Sequence, residues 1–281
     1  MPWYAILSFI LLGIFAIVSL LFLFAVKPNR RRDASDFTGV FFAHRGLHDG
    51  TGKIPENSMV AFARAKEAGY GVEFDVQMTK DKKLVVFHDQ TLKRMCGVDI
   101  KLNTLTYEEL QQYTLLDGEE KIPTLAQVLD FLEDVPVCCE LKYYRKLDDP
   151  ELCEMVDALL NTYKGSVCVE SFSPFMVRWF RKNNPSRIRG QLASNLEFEE
   201  LPYWVHVAVG HLVINIISRP DFVSYHFADR TIGLRICRRV FKPLLFGWTF
   251  RDNEEIRESA EKGYQSFIFE HCLPEDEVII E

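Results

Sequence analysis

Residues 71–89 read GVEFDVQM, TKDKK, LVVFHD. Two apolar runs, Gly71–Met78 and Leu84–His88, flank five polar residues, Thr79–Lys83. A parallel crossover needs about a dozen residues or more, so the two runs must join as an antiparallel hairpin. A turn at Asp81-Lys82 places Lys80 opposite Lys83 and Asp75 opposite His88. Lys82 then stands where glycine is preferred for a positive φ, at a local cost of about 1 kcal/mol.

Seven further strand-like runs lie outside this hairpin: Gly39–His44, Pro136–Leu141, Ser166–Ser171, Arg187–Ala193, Asp221–Tyr225, Leu244–Thr249 and Ser266–Phe269. Helical patterns separate most of them, at Ser58–Ala68, Thr124–Leu132, Pro150–Tyr163, Pro174–Asn183, Asp229–Val240 and Asn253–Lys262. Strands alternating with helices predict a parallel sheet or barrel. Nine runs are one too many for an eight-stranded barrel, and the hairpin accounts for the extra one. With 281 residues, 48% of them apolar, the chain has material for one large core.

The net charge is −7, from 33 basic and 40 acidic residues. Four of the basic residues (Lys27, Arg30, Arg31, Arg32) and none of the acids precede residue 33, so the remainder is more acidic still. That balance disfavours a nucleic-acid partner, which is held by basic patches, and suits an acidic pocket that takes up a metal. The seven cysteines form no CxxC pair. They read as free thiols, several in core strands, in a reducing compartment.

Trp3–Val26 contains no charged side chain. As a helix it would be about 36 Å long, enough for a hydrocarbon core of ~30 Å. Trp3 and Tyr4 suit an interfacial aromatic belt, and the basic cluster follows at once. The positive-inside rule then predicts a single-pass cell-membrane anchor with its N-terminus outside and the rest cytoplasmic. A cleaved signal peptide has a shorter apolar run and its charges on the other side. The expected division is 1–32 for the anchor and its basic flank and 33–281 for the barrel domain.

Polar residues cluster at the C-terminal ends of four runs: Ala43-His44-Arg45-Gly46, Glu73-Phe74-Asp75, Phe87-His88-Asp89 and Glu140-Leu141-Lys142. Strand alternation puts Glu73 and Asp75 on one face, and likewise Glu140 and Lys142. In a barrel that face is the interior near the catalytic rim. Three carboxylates in apolar strands are costly to bury unpaired. A divalent cation on Glu73, Asp75 and Glu140 resolves this, and an all-oxygen set suits Mg2+ or Ca2+. His44 and His88 beside it suggest general acid–base work across a scissile bond. Arg45 offers a planar fork for phosphate and Lys142 a point charge. Together they describe phosphoester cleavage better than carboxyl or glycosyl chemistry.

His44-Arg45-Gly46, Pro55-Glu56-Asn57-Ser58, Glu73-x-Asp75, His88-Asp89 and Glu140-Leu141-Lys142, in this order, resemble the glycerophosphodiester phosphodiesterase family. The resemblance runs from about residue 40 to the C-terminus. It takes in Thr91–Arg94, Leu105–Leu110, Ile122–Leu125, Ser171-Phe172 and Trp248-Thr249. It implies a TIM barrel with a small insertion after the second histidine, at 89–121. It places the metal ligands at Glu73, Asp75 and Glu140 and the catalytic histidines at His44 and His88. Phosphate contacts fall on Arg45 and Lys142, with Asn57 and Glu56 at the rim. The chain departs from the family at Lys82 in place of glycine, at Ser58 in place of threonine, and at Phe269-Glu270 where Thr-Asp is common.

The resemblance also implies a mechanism in which a substrate glycerol hydroxyl attacks first, between a histidine base and a histidine acid. Water then opens a cyclic phosphate to glycerol phosphate. Trp248 is expected either to pack on the glycerol or head group or to serve the core. Ser171 is expected as a phosphate contact or a helix cap, His206 and His211 as structural residues, and His48 as a solvated loop residue. The apolar stretch 201–217 fits either a buried helix or a helix resting on a bilayer, and the second case brings a lysophospholipid into the expected substrates. Rival readings are a non-catalytic membrane scaffold and a barrel lipase for inositol lipids or sphingolipids.

Overall fold

The computed structural model describes residues 2–29, 34–195 and 202–275. Arg30–Arg32 and Leu201, used above in the membrane readings, lie outside them. The chain opens with helix α1 (Trp3–Val26). Strand β1 (Phe41–His44), helix α2 (Met59–Glu67), strand β2 (Gly71–Met78) and strand β3 (Leu84–Val86) follow. Short helices α3 (Lys93–Cys96) and α4 (Tyr107–Leu110) precede α5 (Leu125–Leu132) and β4 (Val137–Leu141). Next come α6 (Pro150–Leu160), β5 (Val167–Ser171), α7 (Pro174–Asn183), β6 (Ile188–Ala193), α8 (Tyr203–Gly210) and α9 (Asn215–Ser218). The chain continues through β7 (Phe222–His226), α10 (Ile232–Ile236), β8 (Leu244–Phe250), α11 (Asn253–Glu261) and β9 (Ser266–Phe269).

Eight of these strands are parallel and close into a ring, β1 pairing with both β2 and β9. This is the expected TIM barrel. The ninth, β3, is antiparallel to β2, as the short linker required. Its position follows from carbonyl alternation. Asp75 O accepts from Phe87 N–H on one edge of β2, and Val76 O accepts from Lys142 N–H on the other. β3 therefore continues the edge that short β1 leaves at Glu73.

The hairpin register differs from expectation by one residue. Val76 faces Val86 and Met78 faces Leu84, so Asp75 lies opposite Phe87, not His88. The loop has three residues, Lys80–Lys82, because Thr79 satisfies its exit. Thr79 O accepts from Lys82 N–H (3.1 Å) and Thr79 Oγ1 from Lys83 N–H (2.9 Å). Lys82 has φ 62, the left-handed conformation anticipated there.

Alternation along the strands divides two cores. Outward-facing Ala43, Phe74, Cys139, Val169, Val223 and Phe267 pack under the helices. Inward-facing Phe42, Cys138, Cys168, Phe222, Phe246 and Ile268 fill the barrel's lower interior, with Phe37 beneath. Gly190 on β6 makes room here: a Cβ would stand 2.1 Å from the Phe222 ring. A third cluster joins Val85 and Phe87 to Leu92, Met95, Leu102, Leu110, Leu115 and Ile122. It lets residues 89–121 pack over the hairpin. All seven cysteines are free thiols.

Helix starts follow their caps. Ser58, Thr124, Asp149, Ser173, Thr231 and Asp252 each accept a backbone N–H in the first turn, a contact worth about 1 kcal/mol. The expected helix Asp229–Val240 is shorter because Thr231 is its cap, while the Asp229 carboxylate accepts from Asn195 N–H (2.6 Å). A single π turn, Cys237–Phe241, ends it. The stretch 201–217 is not one helix: Leu212 (φ 58) breaks it into α8 and α9.

Candidate active site

The C-terminal ends of the strands ring a cavity of about 450 Å³. Its wall includes His44, Arg45, Glu73, His88, Glu140 and Lys142, residues separated by as much as 98 positions in sequence. Glu73, Asp75 and Glu140 are buried, at 2%, 1% and 7% exposed, and one carboxylate oxygen of each lies within 4.8 Å of the others. Alternation explains this: Glu73 and Asp75 face inward from β2, and Asp75 pairs in register with Glu140 on β4.

Only part of this charge is balanced. Lys142 Nζ is 2.8 Å from Asp75 Oδ1 and 2.7 Å from Glu140 Oε1. Asn57 Nδ2 donates to Asp75 Oδ2 (2.8 Å), and Arg45 Nε lies 3.4 Å from the same oxygen. Arg45 N–H donates to Glu73 Oε2 (3.0 Å). Burial, then the charges of Asp75 and Glu140, push Glu73 well above the ordinary carboxylate range. Burial, only partly offset by Lys142, raises Glu140 to about 7. Asp75 is held below the ordinary range; burial opposes this, but Lys142, His88 and Arg45 outweigh it. A cluster in which two of three carboxylates resist ionisation is what a hard cation would relieve. The residues present therefore fit a divalent ion with oxygen ligands.

Each histidine is oriented by a carboxylate. His44 Nδ1 is 2.8 Å from Glu270 Oε2, leaving Nε2 on the Glu73 side at 4.0 Å. Glu270 is fixed in turn by Arg251 Nε (3.0 Å). His88 Nδ1 is 2.7 Å from Asp89 Oδ1. Arg94 reaches both Asp89 (2.7 Å) and Glu56 (2.7 Å), and Glu56 also accepts from Arg45 (2.8 Å). Burial, reinforced by Arg45, lowers His44 to about 4. Burial and Lys142 lower His88. The site thus disfavours the charged form of both imidazoles, and each has Nδ1 committed to a carboxylate.

The hairpin does not carry His88 by strand pairing. Gln77, 5% exposed, donates its amide to the carbonyls of Phe87 (2.8 Å), His88 (3.2 Å) and Asp89 (2.8 Å). One buried side chain thereby fixes the loop that presents the imidazole.

Other expected residues are placed as follows. Arg45 and Lys142 line the cavity but are turned onto carboxylates. Asn57 is 1% exposed and reaches the site through Asp75. Trp248 lines the cavity with its ring against Phe172, centroids 5.9 Å apart. Ser171 donates to Leu141 O (2.8 Å), and the cap of α7 is Ser173. His211 packs its ring on Phe22 of α1. His48 is not a solvated loop residue: its side chain is 6% exposed and lies on the cavity wall, 5.2 Å from the His271 ring.

Sequence reasoning missed Glu270, Arg94, Gln77 and Glu170. Glu170 lines the cavity from β5, in register with Glu140, and burial pushes it up to about 8. A lone acid in the apolar run Val167–Ser171, on the same inward face as Cys168, was the signal for it. Glu270 and Arg94 meet partners 226 and 38 residues away, His44 and Glu56, and Gln77 acts on the carbonyls of the loop after β3, which hydropathy does not record.

Fold and site together define a (β/α)8 barrel with an acidic pocket, flanked by histidines, at its catalytic end. The chain belongs to the glycerophosphoryl diester phosphodiesterase family, whose model matches residues 44–272. A glycerophosphodiester phosphodiesterase of Bacillus altitudinis is 40% identical over 194 residues, 64% of this chain and 69% of that protein. A human lysophospholipase D is 30% identical over 158 residues, 52% of this chain and 49% of that one. An Oleispira antarctica phosphodiesterase, solved with its product sn-glycerol-3-phosphate, shares the fold. Its TM-score is 0.69 at 21% identity, over 85% of this chain and 96% of that one. The chain spans about half to two thirds of the length of the curated relatives it matches.

Proposed function

We propose that this chain hydrolyses glycerophosphodiesters to glycerol phosphate and an alcohol, with Mg2+ or Ca2+ held by Glu73, Asp75 and Glu140. The observation that carries the reading is the pair of carboxylate-clamped imidazoles, His44 and His88, lining one cavity with Glu73 and Glu140, whose carboxylates cluster with that of buried Asp75. The cation, when bound, supplies Lewis-acid charge for phosphodiester cleavage. Arg45 and Lys142 bring fixed positive charge to the same wall and favour an anionic substrate. The carboxylate on each Nδ1 selects the tautomer and angle of the ring, so that proton transfer runs through Nε2. One imidazole, neutral, takes the proton of the attacking glycerol hydroxyl, and the other, which must enter as imidazolium, protonates the departing alcohol. The second imidazole, now neutral, takes a proton from the water that opens the cyclic phosphate, and the first returns its proton to the released glycerol oxygen.

The test is release of glycerol phosphate from glycerophosphocholine, with and without a chelator. Activity should vanish on chelation, return with Mg2+ or Ca2+, and be lost in His44→Ala and in His88→Ala. Full turnover by a folded His44→Ala protein would falsify the mechanism.

A second reading is lysophospholipase D-like action at a membrane. It is favoured by α1, the one described helix long and apolar enough to cross a bilayer, and by the apolar side of the cavity, Phe172, Leu192 and Trp248. On this reading α1 anchors the chain in the cell membrane and the barrel is cytoplasmic. Turnover of lysophosphatidylcholine in micelles, compared with glycerophosphocholine in solution, separates the two substrates.

A further inference from the structure

The course of α1 along the barrel fixes which end of the barrel faces its apolar segment. Just after the helix, Asn29 N–H donates to Pro220 O (2.7 Å) and Asn29 Nδ2 to Asp221 Oδ1 (2.6 Å). Both partners immediately precede β7, so this contact lies at the end of the barrel opposite the cavity. One turn back, Val26 O accepts from Asn215 Nδ2 (3.0 Å), and Arg219 stacks on the Phe24 ring at 4.5 Å. A further turn back, Phe22 packs on His211 at 6.5 Å.

His211 stands at the catalytic end. The preceding Gly210 carbonyl accepts from Tyr225 and from Thr231, near and just beyond the C-terminus of β7. Gly210 also abuts Ser194 and Asn195, which leave β6 toward the rim. Read from Asn29 to Phe22, α1 therefore climbs from the closed end to the catalytic end. Residues 3–21 continue past it for about 28 Å, with Phe15 71% and Leu20 65% exposed.

Exposed apolar groups gather at this same end. Tyr203 (76%), Trp204 (71%) and Val207 (39%) lie on α8, which runs into Gly210. Ile232 (58%) heads α10, just after the β7 loop. Aromatic rings with a polar edge beside aliphatic side chains are the composition that settles at a lipid–water interface. Phe172, Leu192 and Trp248 line the cavity from β5, β6 and β8, the sector from which α8 departs.

We infer that the catalytic mouth faces the bilayer entered by α1, with Tyr203, Trp204 and Ile232 seated in the lipid interface. The inference rests on the reading of α1 as a membrane anchor. It deepens the second substrate reading: a diester whose acyl chain stays in the bilayer reaches the acids and imidazoles by its head group, past the apolar wall.

The test uses the full chain in phosphatidylcholine vesicles, with a benzophenone side chain placed at position 204, 232 or 242. Lys242 is exposed and lies two residues before β8, so it marks the opposite end. Position 203 serves if the label at 204 disturbs folding, with turnover of soluble glycerophosphocholine as the check. After irradiation, lipid adducts at 204 and 232 should exceed those at 242 by about 10-fold or more, the contrast between immersed and aqueous positions. Equal labelling, or labelling mainly at 242, in protein that resists alkaline extraction overturns the orientation and leaves the anchor standing. Protein released by alkaline extraction overturns the anchor and the orientation with it.

Discussion

Two layers of the barrel interior, one side-chain repeat apart, are built from opposite chemistry. The lower holds Phe42, Cys138, Cys168, Phe222, Phe246 and Ile268. Two residues further along the same strands stand His44, Glu140, Glu170, Ser224, Trp248 and Glu270. The first set gains free energy by leaving water; most of the second loses it. A closed ring of strands fixes both layers together, so the packing of the lower layer holds the upper in a geometry it would not keep alone. The layers should therefore respond oppositely to mutation, the upper in rate and the lower in stability.

The largest separation is expected at the imidazoles. His44→Ala and His88→Ala should each lower kcat by on the order of 10²–10⁴-fold, with the thermal midpoint nearly unchanged. Steady-state rates and calorimetry on the same samples check this. A large loss of stability would mean that His44 and His88 belong to the packing as much as to the chemistry.

Phe246→Ala breaks the lower layer. Phe246 is fully buried, with its ring 4.1 Å from Phe222 and 5.7 Å from Phe42. Truncation should cost about 3–5 kcal/mol in denaturant unfolding. The folded fraction should keep its KM, because Phe246 does not line the cavity.

Glu170 tests the cost carried by the upper layer. Burial first, then Glu140, raises its carboxyl from 4.5 to about 8. The folded state thus binds a proton that the unfolded state has released. Its contribution to stability is full below about pH 4.5 and falls as pH rises toward 8. In chelated protein, Glu170→Gln should flatten the stability profile across that window and raise stability at pH 8 by on the order of 1–3 kcal/mol. Parallel profiles for the two proteins would show that Glu170 is already charged and paired when folded.

These contrasts also show what a sequence can carry. Period-two alternation exposed the acids of the upper layer, Glu73 with Asp75 and Glu140 with Lys142, while of the lower layer only the cysteines read as lying in core strands. Asp89, which holds His88, is its neighbour in sequence, but alternation missed the groups beyond it, because they come from far along the chain. Glu270 is 226 residues from His44, and Arg94 is 38 from Glu56. The hairpin was legible in kind but not in register. A two-residue and a three-residue loop differ only in how Thr79 bonds its neighbours, and hydropathy does not record that choice.

The smallest effect is expected in that loop, and it asks how far the upper layer extends. His88 is the one proposed catalytic group carried outside the barrel strands, on the segment that follows β3. Its carbonyl and those of Phe87 and Asp89 are held by Gln77, not by the turn. Lys82 holds φ 62 at the turn, with its side chain 62% exposed. Lys82→Gly removes the Cβ penalty of about 1 kcal/mol but gives the unfolded chain more freedom. It also removes the ammonium near Glu151 (2.7 Å), an exposed pair worth little. The net change in stability should lie within about 0.5 kcal/mol of zero, and kcat should not move. A fall in kcat with unchanged stability would mean that the turn, through β3, helps hold the imidazole. The functional layer would then reach from the barrel rim to the hairpin tip.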